Sequence, residues 1–175
     1  MRNFFSLFLI TLFFSSPVLA QSAIKCHCKD TEKTIFNLQI KDKEKILSVC
    51  TDENYSFIQY RFGKPGNIEL SYPTDMNAAS WKQFEYFSVS RNGGAMNAGF
   101  GNHELSFKRA DVEYVVYDSY AYADDTEESY QEEIGVKVTV NGKVYDIKGD
   151  VKTDEGTITN VEDSGKIKNK FWEED

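Results

Sequence analysis

After its first twenty residues the chain has no apolar run that approaches bilayer length, so no later segment is expected to span a membrane as a helix. It has no excess of basic charge. Acidic residues number 28 against 20 basic ones, which argues against nucleic acid, whose phosphates call for cationic partners. The same sign argues against an anionic membrane surface. Histidine occurs only twice, as His27 and His103, and no Gly-x-Ser-x-Gly elbow or other nucleophile frame accompanies either. No segment keeps a helical period over three turns, which removes the helix-bundle classes.

The opening residues carry the clearest positive signal. Met1-Arg2-Asn3 is followed by an apolar block from Phe4 to Phe14 and by Ser15-Ser16-Pro17-Val18-Leu19-Ala20. A short basic start, an apolar centre and a small-residue exit are the three parts of a secretory leader, with cleavage expected after Ala20. The remaining chain, 19 basic against 28 acidic residues, is expected in the periplasm or outside the cell. Such a balance favours a basic partner protein if there is one.

Cysteine is scarce and odd in number: Cys26, Cys28 and Cys50. In an oxidising compartment thiols become disulfides. Cys26 and Cys28 are too close in sequence to join each other comfortably, so Cys50 is expected to pair with Cys28 or with Cys26. That closes a loop of about two dozen residues and adds about 3 kcal/mol. Cys26-His27-Cys28 is not a paired zinc spacing, and the sequence calls for no metal and no cofactor.

The rest reads as strands and turns. Residues 34–40 and 45–50 flank a charged turn, and 55–62 and 67–72 flank Gly63-Lys64-Pro65-Gly66. Trp81 to Val89, His103 to Lys108, Val112 to Ala121 and Ile134 to Val140 follow as strands. Asn141-Gly142 is a favoured two-residue hairpin turn before Val144–Ile147. The expectation is an all-β fold, a single antiparallel β-sandwich or squat barrel of about eight to nine short strands over 21–149. Residues 150–175 are polar and are read as a weakly ordered C-terminal segment.

One stretch lacks periodicity of any kind. Residues 91–102 form a Gly/Asn-rich loop, and a loop of that length in a small domain either binds something or merely connects. Arg91, Asn92, Gly93, Gly94, Met96, Phe100 and His103 are its candidate contact residues, with no catalytic set. The acidic run 124–128 lacks the spacing of a calcium loop. Tyr114, Tyr120 and Tyr122 share a strand face, where half-buried sheet packing competes with an exposed stacking row.

The segments Ile58-Gln59-Tyr60-Arg61-Phe62-Gly63 and Ile68-Glu69-Leu70-Ser71-Tyr72-Pro73, with Ile46–Cys50 before them, resemble a group of small secreted bacterial β-proteins of no established activity. The resemblance implies an exported β-fold and nothing about chemistry. A looser likeness is to periplasmic lysozyme inhibitors, which carry a Ser-Gly-x-x-Tyr loop. This chain has Ser164-Gly165 with Lys168 in the tyrosine's place, so that likeness is one of class and charge. Together these readings favour an exported, non-catalytic binding protein, such as an inhibitor of a basic secreted enzyme. A structural envelope component is the second reading and a secreted hydrolase the third.

Overall fold

Among the described residues, ten strands form two antiparallel five-stranded sheets that pack as a sandwich, and neither closes into a barrel. The computed structural model describes residues 25–93, 98–122 and 129–172. The leader, Gly94, Met96 and the acidic run 124–128 lie outside the described residues. The first sheet holds β1 (Lys33–Gln39), β2 (Ile46–Thr51), β3 (Gln59–Lys64), β4 (Asn67–Tyr72) and the two-residue β10 (Glu155–Gly156), in the order β10-β1-β2-β3-β4. The second is a plain meander of β5 (Glu85–Arg91), β6 (Phe100–Arg109), β7 (Val112–Tyr122), β8 (Tyr130–Val140) and β9 (Lys143–Lys148).

Period-two alternation builds the core. Phe36, Leu38, Leu47, Val49 and Tyr60 face Leu105, Phe107, Val116, Ile134 and Val136, all of them buried. Phe107 is stacked between Tyr72 at 4.5 Å and Tyr114 at 4.7 Å, which settles Tyr114 as a packing residue. The hairpin turn at 141–142 has both residues at positive φ, 51° and 75°, as the Asn-Gly pair allows.

The outer face of the first sheet is buried as well, under the N-terminal segment 25–32. Arg61, only 2% exposed, sits on β3 and donates to the Glu32 carboxylate through both terminal nitrogens, at 2.5 and 3.0 Å. It also donates to His27 O at 2.8 Å and Gln59 Oε1 at 2.7 Å. Ser48 Oγ donates to Asn37 Oδ1 and accepts from His27 N–H. The Cys28–Cys50 disulfide, with its Cα atoms 5.5 Å apart, ties the same segment to β2. Cys26 remains a thiol, and the three sulfurs lie within 4.8 Å of one another. Of the two pairings left open by the sequence, Cys28 with Cys50 is the one formed.

Strand lengths differ between the layers. Strands of six residues span roughly 20 Å and the eleven-residue β7 and β8 roughly 37 Å, so the second sheet outruns the first. The C-terminal segment covers the overhang. It leaves β9, crosses to the first sheet where Asp150 N–H bonds Gln39 O, pairs with β1 as β10, and then forms a 3-10 helix over Ile158–Ser164 against β1 and β6. Ile158 and Val161 are fully buried in the common core.

Of the segment read as weakly ordered over 150–175, residues 150–172 instead form this strap, and 173–175 lie outside the described residues. Its polarity belongs to a strap with two apolar anchors three residues apart, started by the Thr157 side chain and stopped by Gly165 in the left-handed region at φ 62°. A second correction concerns Trp81. Residues Ala78–Gln83 form a 3-10 helix capped by Asn77, with the Trp81 indole donating to Tyr55 O at 2.9 Å, and the strand begins only at Glu85. The anchor is tertiary, so β-propensity loses.

Burial pushes the Glu32 carboxyl up. The Arg61 guanidinium, the Lys29 N–H and the nearby positive charges outweigh it and hold the group below the usual carboxylate range. A carboxyl depressed in the folded state contributes stability above its unfolded pKa and loses it as pH falls through the folded value. The urea midpoint is therefore expected to hold from neutrality down to roughly pH 5 and to drop below it. Glu32→Gln, which leaves Arg61 buried without its counter-charge, is expected to cost about 3 kcal/mol at pH 7 and to flatten that acid limb.

Candidate functional site

The inner face of the second sheet changes character along its length, row by row. Phe84 lies just before β5, beside the row Phe107, Tyr114, Val138, and the next row is Tyr86, Leu105, Val116, Val136. Then come Ser88, His103, Asp118, Ile134, and after them Ser90, Gly101, Tyr120, Glu132. Apolar side chains give way to polar ones where the first sheet no longer faces them. The strap crosses this polar end, and a groove of about 600 Å³ opens between it and β5. Ser88, Val89, Ser90 and Arg91 of β5 with Phe100 and His103 of β6 form one side, and Thr159, Glu162, Asn169 and Phe171 the other.

The groove has two unlike walls because strand neighbours point to opposite faces. On the inner side, Ser88 Oγ and His103 Nδ1 share a hydrogen bond of 2.8 Å. His103 is buried. The Tyr120 ring lies close to Gly101, where a Cβ would sit 2.3 Å from its Cε1 and 2.9 Å from His103 Nε2, so this position admits only glycine without displacement. The Tyr86 hydroxyl is fully buried with no hydrogen-bond partner of ordinary geometry among the described residues, and Ser88, Glu162 and Asp118 are its polar neighbours. Burial pushes that phenol up, and the Glu162 charge pushes the same way. Burial, then the charges of Asp154 and Asp118, push the Glu132 carboxyl up, which marks this end of the sheet as electronegative.

On the outer side the wall is apolar and aromatic. Phe87 meets Phe171 edge-on at 5.9 Å, and the Arg91 guanidinium lies 5.2 Å over the Phe100 ring while donating to Ala98 O. The strap runs along the margin of β5, with Asn169 in a parallel bridge to Tyr86. Asn169 accepts from Ser88 N–H at 2.9 Å and donates to Ser88 O at 2.7 Å, supplying with its side chain what a neighbouring strand would supply with its backbone. Lys170 adds an ion pair with Glu85.

Of the residues expected in a binding loop, Arg91, Phe100 and His103 do line the groove. Asn92 and Gly93 are exposed at its rim, and Gly94 and Met96 lie outside the described residues. The loop is shorter than 91–102. Arg91 pairs with Phe100, so the strands run on and the connection is 92–99. Strand alternation cannot be read in that stretch because Gly99 and Gly101 interrupt it. Ser88, Thr159, Glu162, Asn169 and Phe171 were not anticipated. The Thr157 cap, the Ile158/Val161 spacing and Gly165 were a readable signal for the strap, whereas nothing local marks Asn169. Ser164-Gly165 closes the 3-10 helix, with Ser164 Oγ donating to Val161 O.

Ser88 and His103 stand in one row with Asp118, an arrangement that invites a nucleophile reading. The Asp118 carboxylate instead accepts from Thr157 Oγ1 at 2.8 Å, and no described hydrogen bond joins it to the imidazole. Compared with known proteins, the chain matches no family model, no curated protein and no solved structure.

Asn169→Ala leaves the Ser88 N–H and C=O without their partner. A loss of about 1–2 kcal/mol is expected in the urea midpoint, with Asn169→Asp recovering only part of it, since a carboxylate accepts but does not donate.

Proposed function

We propose that the protein is an exported, non-catalytic binding protein that engages a basic secreted protein, in the manner of an enzyme inhibitor, through the groove beside β5. The observation that carries this reading is the groove itself: a recess of about 600 Å³ with an aromatic wall, a polar wall and the Glu162 carboxylate, built where three chain segments converge. Export is supported by the leader pattern over Met1–Ala20 and by the Cys28–Cys50 disulfide, which suits an oxidising compartment. Among the described residues no helix is long and apolar enough to cross a membrane. A basic partner is supported by the overall charge of −8 and by the electronegative end of the second sheet.

The hydrolase reading is weaker because His103 has no described acid bonded to it, so nothing orients it as a base toward Ser88. The envelope-component reading relied on a tyrosine face, and Tyr120, Tyr122 and Tyr130 pack on one another at 5.2 to 6.3 Å.

The test expresses the whole chain with its leader and purifies the exported form. It is expected to begin at Gln21, to bind lysozyme or another strongly basic secreted enzyme saturably, and to lose that affinity as salt rises. Glu162→Lys is expected to weaken binding at least tenfold. Retention in the cytosol with the leader attached contradicts the reading. So does indifference to every basic secreted enzyme tried, or turnover of wall sugars or peptides that Ser88→Ala abolishes.

A further inference from the structure

β5 is one margin of its sheet, and the strap covers its open side from Glu85 to Ser88. Both backbone groups of Ser88 point away from β6, because both are bonded to the Asn169 side chain. In an antiparallel ladder every second residue has the same orientation. The N–H and C=O of Ser90 therefore also point outward, into the groove that Ser90 helps to line. Among the described residues no turn, loop or side-chain group is bonded to either of them.

The way the chain treats Ser88 indicates what this margin accepts. Asn169 makes a parallel bridge to Tyr86 and presents one amide donor and one amide acceptor to Ser88. A peptide group placed beside Ser90 would repeat that contact one step along. The two walls then meet alternate side chains of such a peptide. One side offers Val89, Phe100 and Phe171, and the other offers Glu162 beside Ser88 and His103. Arg91, the cation at this margin, is committed to the Phe100 ring and Ala98 O on the outer face.

Building on the function proposed above, we infer that an extended segment of the basic partner adds to β5 at Ser90 as a short strand. Its alternate basic residues turn to Glu162, and its intervening apolar residues turn to Val89, Phe100 and Phe171. Backbone pairing supplies the register, and the two walls supply the preference for alternation.

The probe is a blocked hexapeptide of alternating lysine and valine, titrated into the exported protein while amide signals are followed by NMR. The Ser90 amide is expected to shift downfield and to slow in hydrogen exchange. A glutamate–valine hexapeptide is expected to bind at least tenfold more weakly, as is the lysine peptide with Glu162→Gln. Two N-methylated lysine–valine peptides give the decisive comparison. Methylating one set of alternate amides is expected to abolish binding, and methylating the other set to leave it nearly unchanged, because only one edge of an added strand faces β5. Equal binding by both methylated peptides overturns the inference, as does saturation that leaves Ser90 unmoved. If the hexapeptide fails while a basic secreted enzyme still binds, strand addition is wrong and the binding-protein reading survives; if both fail, both are wrong.

Discussion

The constraint on which this structure turns is a mismatch of length between its two layers. A sandwich buries each sheet against the other only over the length they share. The middle strands of the second sheet run for ten or eleven residues where the first sheet has six or seven. Beyond the overlap the inner face must meet water or be covered by something else. The chain does both. It changes the inner-facing residues from Leu105 and Val116 to His103, Asp118 and Tyr120, and it returns residues 150–172 across the gap. Two fully buried side chains, Ile158 and Val161, hold the strap down, and one amide, Asn169, fastens its end to the margin of β5. The groove is the space this partial cover leaves.

The opposite face of the molecule solves a similar problem by other means. The outer face of the first sheet is sealed under residues 25–32 by the Arg61–Glu32 pair, the Ser48–Asn37 bond and the disulfide. A buried guanidinium with its donors matched to carboxylate and carbonyl oxygens leaves little unsatisfied polarity there. Both termini thus act as straps. The N-terminal one lies on a closed polar network, while the C-terminal one leaves the Tyr86 hydroxyl without a partner among the described residues. That asymmetry favours the C-terminal end as the place where another molecule is met.

The sheets were legible in the sequence because their signals are local. Alternation in β4 and β8 and the Asn141-Gly142 turn each act within a few residues or within one hairpin, whereas the disulfide was narrowed only to Cys50 with Cys28 or Cys26. What escaped depends on distant partners. Trp81 is held helical by the Tyr55 carbonyl, 26 residues away. Arg91 and Phe100 pair across two glycine-rich shoulders that look like coil. The strap was hidden by its own composition: only two of its side chains, Ile158 and Val161, are fully buried, and they stand among lysines, acids and threonines. Asn169 has no sequence signature at all, because its role exists only beside an uncovered strand.

If the strap is an integral wall, its amides are shielded together with the sheets. Native-state hydrogen exchange read at Ser88 and Asn160 tests this directly, since the first amide bonds Asn169 and the second bonds Thr157 O inside the 3-10 helix. Both are expected to exchange more than about a hundredfold slower than in an unstructured chain. Exchange of both at unstructured rates, with the β6 and β7 amides still protected, would contradict the account by showing that the segment after Asp150 does not hold the groove closed on that side.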